Sequence, residues 1–191
     1  MIWHEETVSG RTREVVCILT EGADGIIAEL ATKEKLRIAV VYVARRAVAL
    51  DFRVRHLGEQ SESEIRAAGV ILSGAEKRLL MQTEFVKGCI GSFGRQHEEV
   101  VVGEGRAVPG RNISQPVMLC AEKTARGEHG AGVGKIDGRQ LLYLMNRGIA
   151  ESEARKLLIF VKLISAVKII KNRTLREGAE GKVRELLASI G

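Results

Sequence analysis

Three cysteines in 191 residues, odd in number and widely spaced (Cys17, Cys89, Cys120), do not make the disulfide framework of a small secreted domain. No CxxC pair and no Cys/His set with zinc spacing occurs either, which excludes a zinc finger. The longest apolar stretch, Leu157 to Ile170, is shorter than the ~20 residues a membrane span needs. Lys162 and Lys168 interrupt it as well. The opening MIWHEETVSG carries acid where a secretory leader needs base, and it has no apolar core, so a cytoplasmic protein is expected. Aromatics are only 4% of the chain, and two prolines against 21 glycines indicate tight corners rather than linkers.

What is present is a chain large enough for a real core, 45% hydrophobic and 28% charged, and so neither disordered nor integral to a membrane. Its net charge of +6 is uneven. Residues 1–138 hold 19 Lys+Arg and 19 Asp+Glu, whereas residues 139–191 hold 11 and 5, so the whole excess lies on the tail. A basic tail admits an ordinary solvated face, an acidic protein partner, nucleic acid or an anionic membrane surface.

Along the chain, runs rich in β-branched residues (Val15–Leu19, Gly25–Leu30, Leu36–Val43, Ala47–Val54) are broken by turn signals such as Glu21-Gly22-Ala23-Asp24 and Arg45-Arg46. Asp51, Arg53 and Arg55 alternate with Phe52, Val54 and His56, the period of a strand with one wet face. Similar runs continue to Cys120, with glycine corners up to Gly105 and Gly110. Glu59–Ala68 is the one segment before Asp137 that reads as a short helix. Many short strands with glycine corners suit a sandwich, a barrel or a β-solenoid, and pattern alone does not choose.

From Asp137 the period changes. Asp137 and Gln140 have capping-box spacing, and a helix over Arg139–Arg147 should stop at Gly148, with Ile149 packing back on its last turn. A second helix is expected from about Glu151 to Lys171, with acid in its first turn. Its apolar positions cover more than one stripe, which predicts cover on two sides, by the body and by another chain. The last helix should start at a Thr174…Glu177 capping box and bury Val183, Leu186, Leu187 and Ile190. A β body over 13–136 and a helical region over 137–191 follow.

Among chemistry-bearing residues, GEHGAGVGK fails as a phosphate-binding loop: His129 stands where glycine is required, and Ile136 where Ser or Thr is. His129 itself, flanked by Gly127, Gly130 and Gly132 in a glycine-rich loop, is either bonded to backbone at a β-to-α junction or open to a ligand. Cys120 and Cys89 read as buried structural thiols, and His97-Glu98-Glu99 as a charged strand-entry turn rather than a metal set. Nowhere do a nucleophile, a base and an orienting acid come together, so no catalytic residue and no enzyme are expected.

The stretch Cys120–Leu158 resembles the SufB/SufD family of iron–sulfur cluster assembly scaffolds. The resemblance lies in His129-Gly130-Ala131, Val133-Gly134, Ile136-Asp137, Tyr143-Leu144, Arg147-Gly148-Ile149, Glu153-Ala154-Arg155 and Leu157-Leu158. It implies a mainly β fold, a right-handed parallel β-helix (β-solenoid) core followed by a small C-terminal helical region. It implies a non-catalytic scaffold of the SUF system that pairs with a SufB/SufD-like chain or with itself. A SufC-type ABC ATPase would dock on the tail through Tyr143, Arg147, Arg155 and Leu158. It also makes His129 an iron or cluster ligand at the scaffold interface, with an iron–sulfur cluster bound only transiently and no tightly bound cofactor. SufB-type members carry glutamate after this histidine and a sulfur-accepting cysteine on an earlier coil. Here those positions are Gly130 and, by spacing, His97, so the chain looks like a short SufD-like member. Nucleic acid and membrane are then not partners. The alternative remains a β domain whose basic tail binds nucleic acid or anionic membrane.

Overall fold

The computed structural model describes residues 2–103 and 111–188 of the chain, so Gly105, Gly110 and Ile190 lie outside the described residues. Among the described residues ten strands precede three helices. The strands are β1 (Ile2–Ser9), β2 (Thr12–Leu19), β3 (Gly22–Leu30), β4 (Lys35–Ala44), β5 (Ala47–His56), β6 (Glu62–Ile71), β7 (Glu76–Phe85), β8 (Phe93–Val102), β9 (Asn112–Cys120) and β10 (Arg126–Gly134). The helices are α1 (Gly138–Met145), α2 (Glu151–Val167) and α3 (Arg173–Ala188).

Strands alternate between two sheets. One holds β1-β2-β4-β6-β8-β10 and the other β3-β5-β7-β9. Every pairing is parallel except β1 with β2. The chain therefore climbs as a β-solenoid of about four turns. Each rung lengthens: Thr12 pairs with Lys35, Lys35 with Glu62, Glu62 with Phe93 and Phe93 with Arg126.

Because side chains alternate across a strand, each rung sends every second residue into the lumen between the sheets. Val15, Cys17 and Leu19 of β2, Ile38, Val40 and Tyr42 of β4, and Phe52 and Val54 of β5 fill it. The other face of the longer sheet, Val16, Ile18, Ala39, Val41, Ala68 and Val70, is covered by α2 and α3 through Leu163, Ala166, Val167, Val183 and Leu186. A sheet buried on both faces reads as an unbroken apolar run, which is why Leu36–Val43 shows no alternation. Full burial of one such Leu or Val side chain contributes roughly 1.5–3 kcal/mol.

Glu14 fastens the helices to the body. Its carboxylate, almost fully buried, accepts the N–H groups of Lys171 (2.8 Å) and Asn172 (2.7 Å) and pairs with Arg37 at 3.1 Å. Helix ends follow local chemistry with two shifts from expectation. Asp137 caps α1 by accepting the Arg139 N–H, not that of Gln140. α3 is capped by Asn172, whose Oδ1 accepts from Leu175 N, so Thr174 lies inside the helix and Glu177 pairs with Arg173 instead. Gly148 does take the left-handed conformation (φ 86°), and Gly148 and Ile149 donate back to Met145 and Leu144, the pattern of a Schellman motif.

Four readings of the strand region are corrected. Glu59–Ala68 is not a helix, since Glu62–Ile71 is β6, paired on both sides by β4 and β8. There Ser63, Ile65 and Ala67 point into the lumen, and ladder bonds on two edges override the helix preference of Glu, Arg and Ala. The break at Glu21–Asp24 is shorter than expected, because β3 starts at Gly22. His97-Glu98-Glu99 lies inside β8 rather than at a turn. The glycine-rich segment around His129 is a strand, β10, not a loop.

Candidate functional site

The last rung differs from all those before it. β9 and β10 contain no buried residue, while β4 to β8 bury most or every second position. β10 ends the longer sheet, so its outer row of N–H and C=O groups is unpaired among the described residues. Its sequence, RGEHGAGVG, has almost no side chain to pack, and its glycines bring the backbone close to the rung below. A Cβ on Gly127 would strike the Met118 sulfur, and one on Gly130 would stand 3.3 Å from His97 Nδ1.

His129 is the register partner of Gln96, a buried residue of the lumen face. Both side chains therefore point the same way, and His129 stands exposed at the mouth of the lumen. Gln96 donates to Thr83 Oγ1 (2.7 Å) and to the Val117 carbonyl (3.2 Å), giving His129 a firm floor. Beneath lies a buried ionic knot. Glu98 Oε1 accepts from Lys77 Nζ and from Tyr42 Oη, each at 2.7 Å, and Lys77 also donates to Ser114. Burial holds the Lys77 ammonium below the usual lysine range, partly offset by Glu98, and burial with Glu98 raises the Tyr42 phenol. Sequence reasoning missed this knot. The only signal was the polar alternation Gln96, Glu98 in a stretch without apolar neighbours.

On the opposite face of β8 and β10, a cavity of about 310 Å³ is lined by His97, Glu99, Gly132, Val133, Lys135 and Lys162. Lys162 of α2 reaches Glu99 at 2.8 Å and holds its carboxyl below the usual range, with His97 at 3.6 Å from the same group. Glu98 points into the lumen and Glu99 away from it, so His97, Glu98 and Glu99 cannot converge on one ion. His97 and Gly130 are direct register partners. Cys89 is buried as expected, and Cys17 is buried too, but Cys120 is exposed at the end of β9, against expectation. His129 belongs to no group of three metal-ligating side chains among the described residues.

The residues expected to bind a partner fall on the helical tail. α1 buries no side chain. It presents Leu142 and Tyr143, each 57% exposed, and α2 presents Leu157 and Val161, at 47% and 59%. The Arg147 guanidinium lies 5.0 Å over the Tyr143 ring, so these two are brought together. Arg155 pairs with Glu151 at 2.7 Å one turn away on α2, and Leu158 is half-buried. The inner face of α2 is covered by the sheet and by α3, and Leu157 and Val161 face outward. Arg155, Lys162, Arg173 and Lys182 are each held by a carboxylate, which reduces the free basic face. No helix among the described residues is long and apolar enough to cross a membrane.

Residues 25–161 match the family model for "SUF system FeS cluster assembly, SufBD core domain". The iron-sulfur cluster assembly protein SufD of Bacillus subtilis (strain 168) is 31% identical to this chain over 108 residues. The matched region is 56% of this chain and 24% of that protein, so the chain spans about a quarter of the length of the curated relative it matches.

Proposed function

The chain belongs to the SufBD core family of the SUF system, and on that premise we propose that it is a non-catalytic, SufD-like scaffold in iron–sulfur cluster assembly. In this reading it pairs with a SufB/SufD-like chain or a second copy of itself along the last rung, and a SufC-type ATPase docks on α1 and α2. The cluster is cargo, built and passed on at the mouth of the lumen, where the neutral imidazole of His129 would supply one iron ligand.

The observation that carries the proposal is β10, an unpaired strand edge with an exposed histidine at its centre and a buried ionic knot below it. A single imidazole does not hold iron by itself, so the remaining donors would come from the partner's face. Pairing would also cover the open backbone row, which otherwise invites indiscriminate strand addition. The large apolar side chains left exposed on both helices, Leu142 and Tyr143 on α1 and Leu157 and Val161 on α2, support the docking role.

Two measurements test this. Co-purification with the partner scaffold and the ATPase should give a stable complex, and no complex with either would overturn the reading. Anaerobic reconstitution of that complex with iron and sulfide should give the visible absorbance of a cluster, and His129→Ala should diminish it. An unchanged spectrum in the variant would remove His129 from the site.

A further inference from the structure

At the other end of the solenoid, far along the chain from His129, three side chains with no part in the proposed function meet. His4 lies on β1, Cys17 on β2 and Asp24 on β3. His4 and Cys17 are register partners, so they share a face, and Cys17 alternates with Val15 and Leu19, which puts that face in the lumen. Asp24 stands two residues before Ile26, the first lumen residue of β3. β1 extends the longer sheet by one strand that has no counterpart in the shorter one, which leaves this mouth open on one side.

We propose that His4, Cys17 and Asp24 form a binding site for one divalent transition metal of borderline softness, ferrous iron or zinc. The spacing of the donors is the main argument. Cys17 Sγ lies 3.4 Å from His4 Nδ1, and that nitrogen lies 3.1 and 3.3 Å from the two Asp24 oxygens. Donor atoms of all three lie within 4.8 Å of one another. Around a tetrahedral ion with bonds of about 2.3 Å to sulfur and 2.0–2.1 Å to nitrogen and oxygen, the S–N edge is about 3.6 Å and the N–O edge about 3.3 Å. The three groups thus stand close to where a metal would want them.

A nucleophilic role is excluded by the same geometry. In a thiol–imidazole–carboxylate relay, sulfur and carboxylate address opposite ring nitrogens. Here both address Nδ1, as donors converging on a common point do. The Gly25 N–H donates to Asp24 Oδ1 at 2.8 Å and fixes the carboxylate, the outer-shell support that ligand carboxylates require. The Asp24 carboxylate, beside the imidazole and the buried thiol, supplies negative charge that draws a cation. When a divalent ion binds, the thiol proton leaves to solvent, sulfur coordinates as thiolate, and the neutral imidazole carries its proton on Nε2. Three protein donors leave the fourth position to water or an incoming ligand. The His4 and Asp24 side chains, 34% and 14% exposed, provide the way in, while the thiol is buried.

The site stands or falls independently of cluster handling at the tail. Anaerobic titration of the whole chain with Co²⁺, followed by Zn²⁺ competition, should show one equivalent bound with a thiolate-to-cobalt band in the near ultraviolet. Cys17→Ser should abolish the band. His4→Ala and Asp24→Asn should weaken binding by roughly 100-fold or more. His129→Ala and a Cys89→Ala/Cys120→Ala double variant should leave it unchanged. No thiolate band in the wild type, or a band that survives Cys17→Ser, would overturn the proposal. Should Cys17→Ser fail to fold, His4→Ala decides, because its side chain is partly exposed, and unchanged affinity there also overturns the site.

Discussion

At the head of the solenoid β1 folds back antiparallel on β2, and two side chains from β2 and β3 close around its histidine. At the tail β10 runs parallel to β8, holds four glycines in nine residues, and leaves its histidine exposed with no second ligand among the described residues. Both mouths of the lumen present an imidazole on the longer sheet, yet among the described residues only the head supplies its own partners. The difference lies in side-chain volume. Burial, and with it stability, is concentrated in β2 to β8 and the helices packed on them, whereas the last rung is left nearly unpacked.

The contrast would break if substitutions in the last rung destabilised the fold as much as those in the body. The largest expected effect is in the ionic knot: Glu98→Gln leaves the Lys77 ammonium buried without a counter-charge and should cost about 3–5 kcal/mol. The double variant Lys77→Met/Glu98→Gln should recover most of that loss in urea denaturation, and no recovery would show that the knot is not a charge pair. Leu163→Ala, in the fully buried layer between α2 and the sheet, should cost about 2–5 kcal/mol by the same measurement.

A third expectation concerns pH. Burial lowers the His56 pKa from 6.5 to about 4, with both ring nitrogens bonded to Ser61 and Ser63. The unfolded chain takes up this proton first. Stability from this group is thus intact above pH 6.5 and declines as pH falls towards 4, by about 3 kcal/mol in all. His56→Gln should flatten that part of the profile, and an unchanged slope would refute the assignment. The smallest effects belong to the exposed surfaces. His129→Ala and Val161→Ser should each change stability by no more than about 0.5 kcal/mol. Val161→Ser should nevertheless weaken ATPase capture in co-purification, and full capture would detach the helical strip from docking.

The apolar rungs and all three helices were legible in the sequence because β-branched runs and the change to a helical period at Asp137 report directly on burial. Gly148 was legible for the same kind of reason: only a residue without a Cβ ends that helix cheaply. The starts of β6 and β8, and the whole of β10, were not. Their lumen positions are filled by Ser63, Gln96, Glu98 and glycine, which carry no apolar period, and their strand character comes from pairing with neighbours distant in the chain. His129 was found through a resemblance carried by local spacing. The His4, Cys17 and Asp24 cluster was invisible, because only the closure of the first rung brings those positions together.

The steady lengthening of the rungs has a consequence for how the chain threads itself. A stack of identical turns could slide by one repeat and still satisfy its ladders, but here a slipped turn would be too short or too long for its seat. Unequal steps therefore act as a key, giving the staircase a single assembly frame and discouraging two copies from exchanging turns.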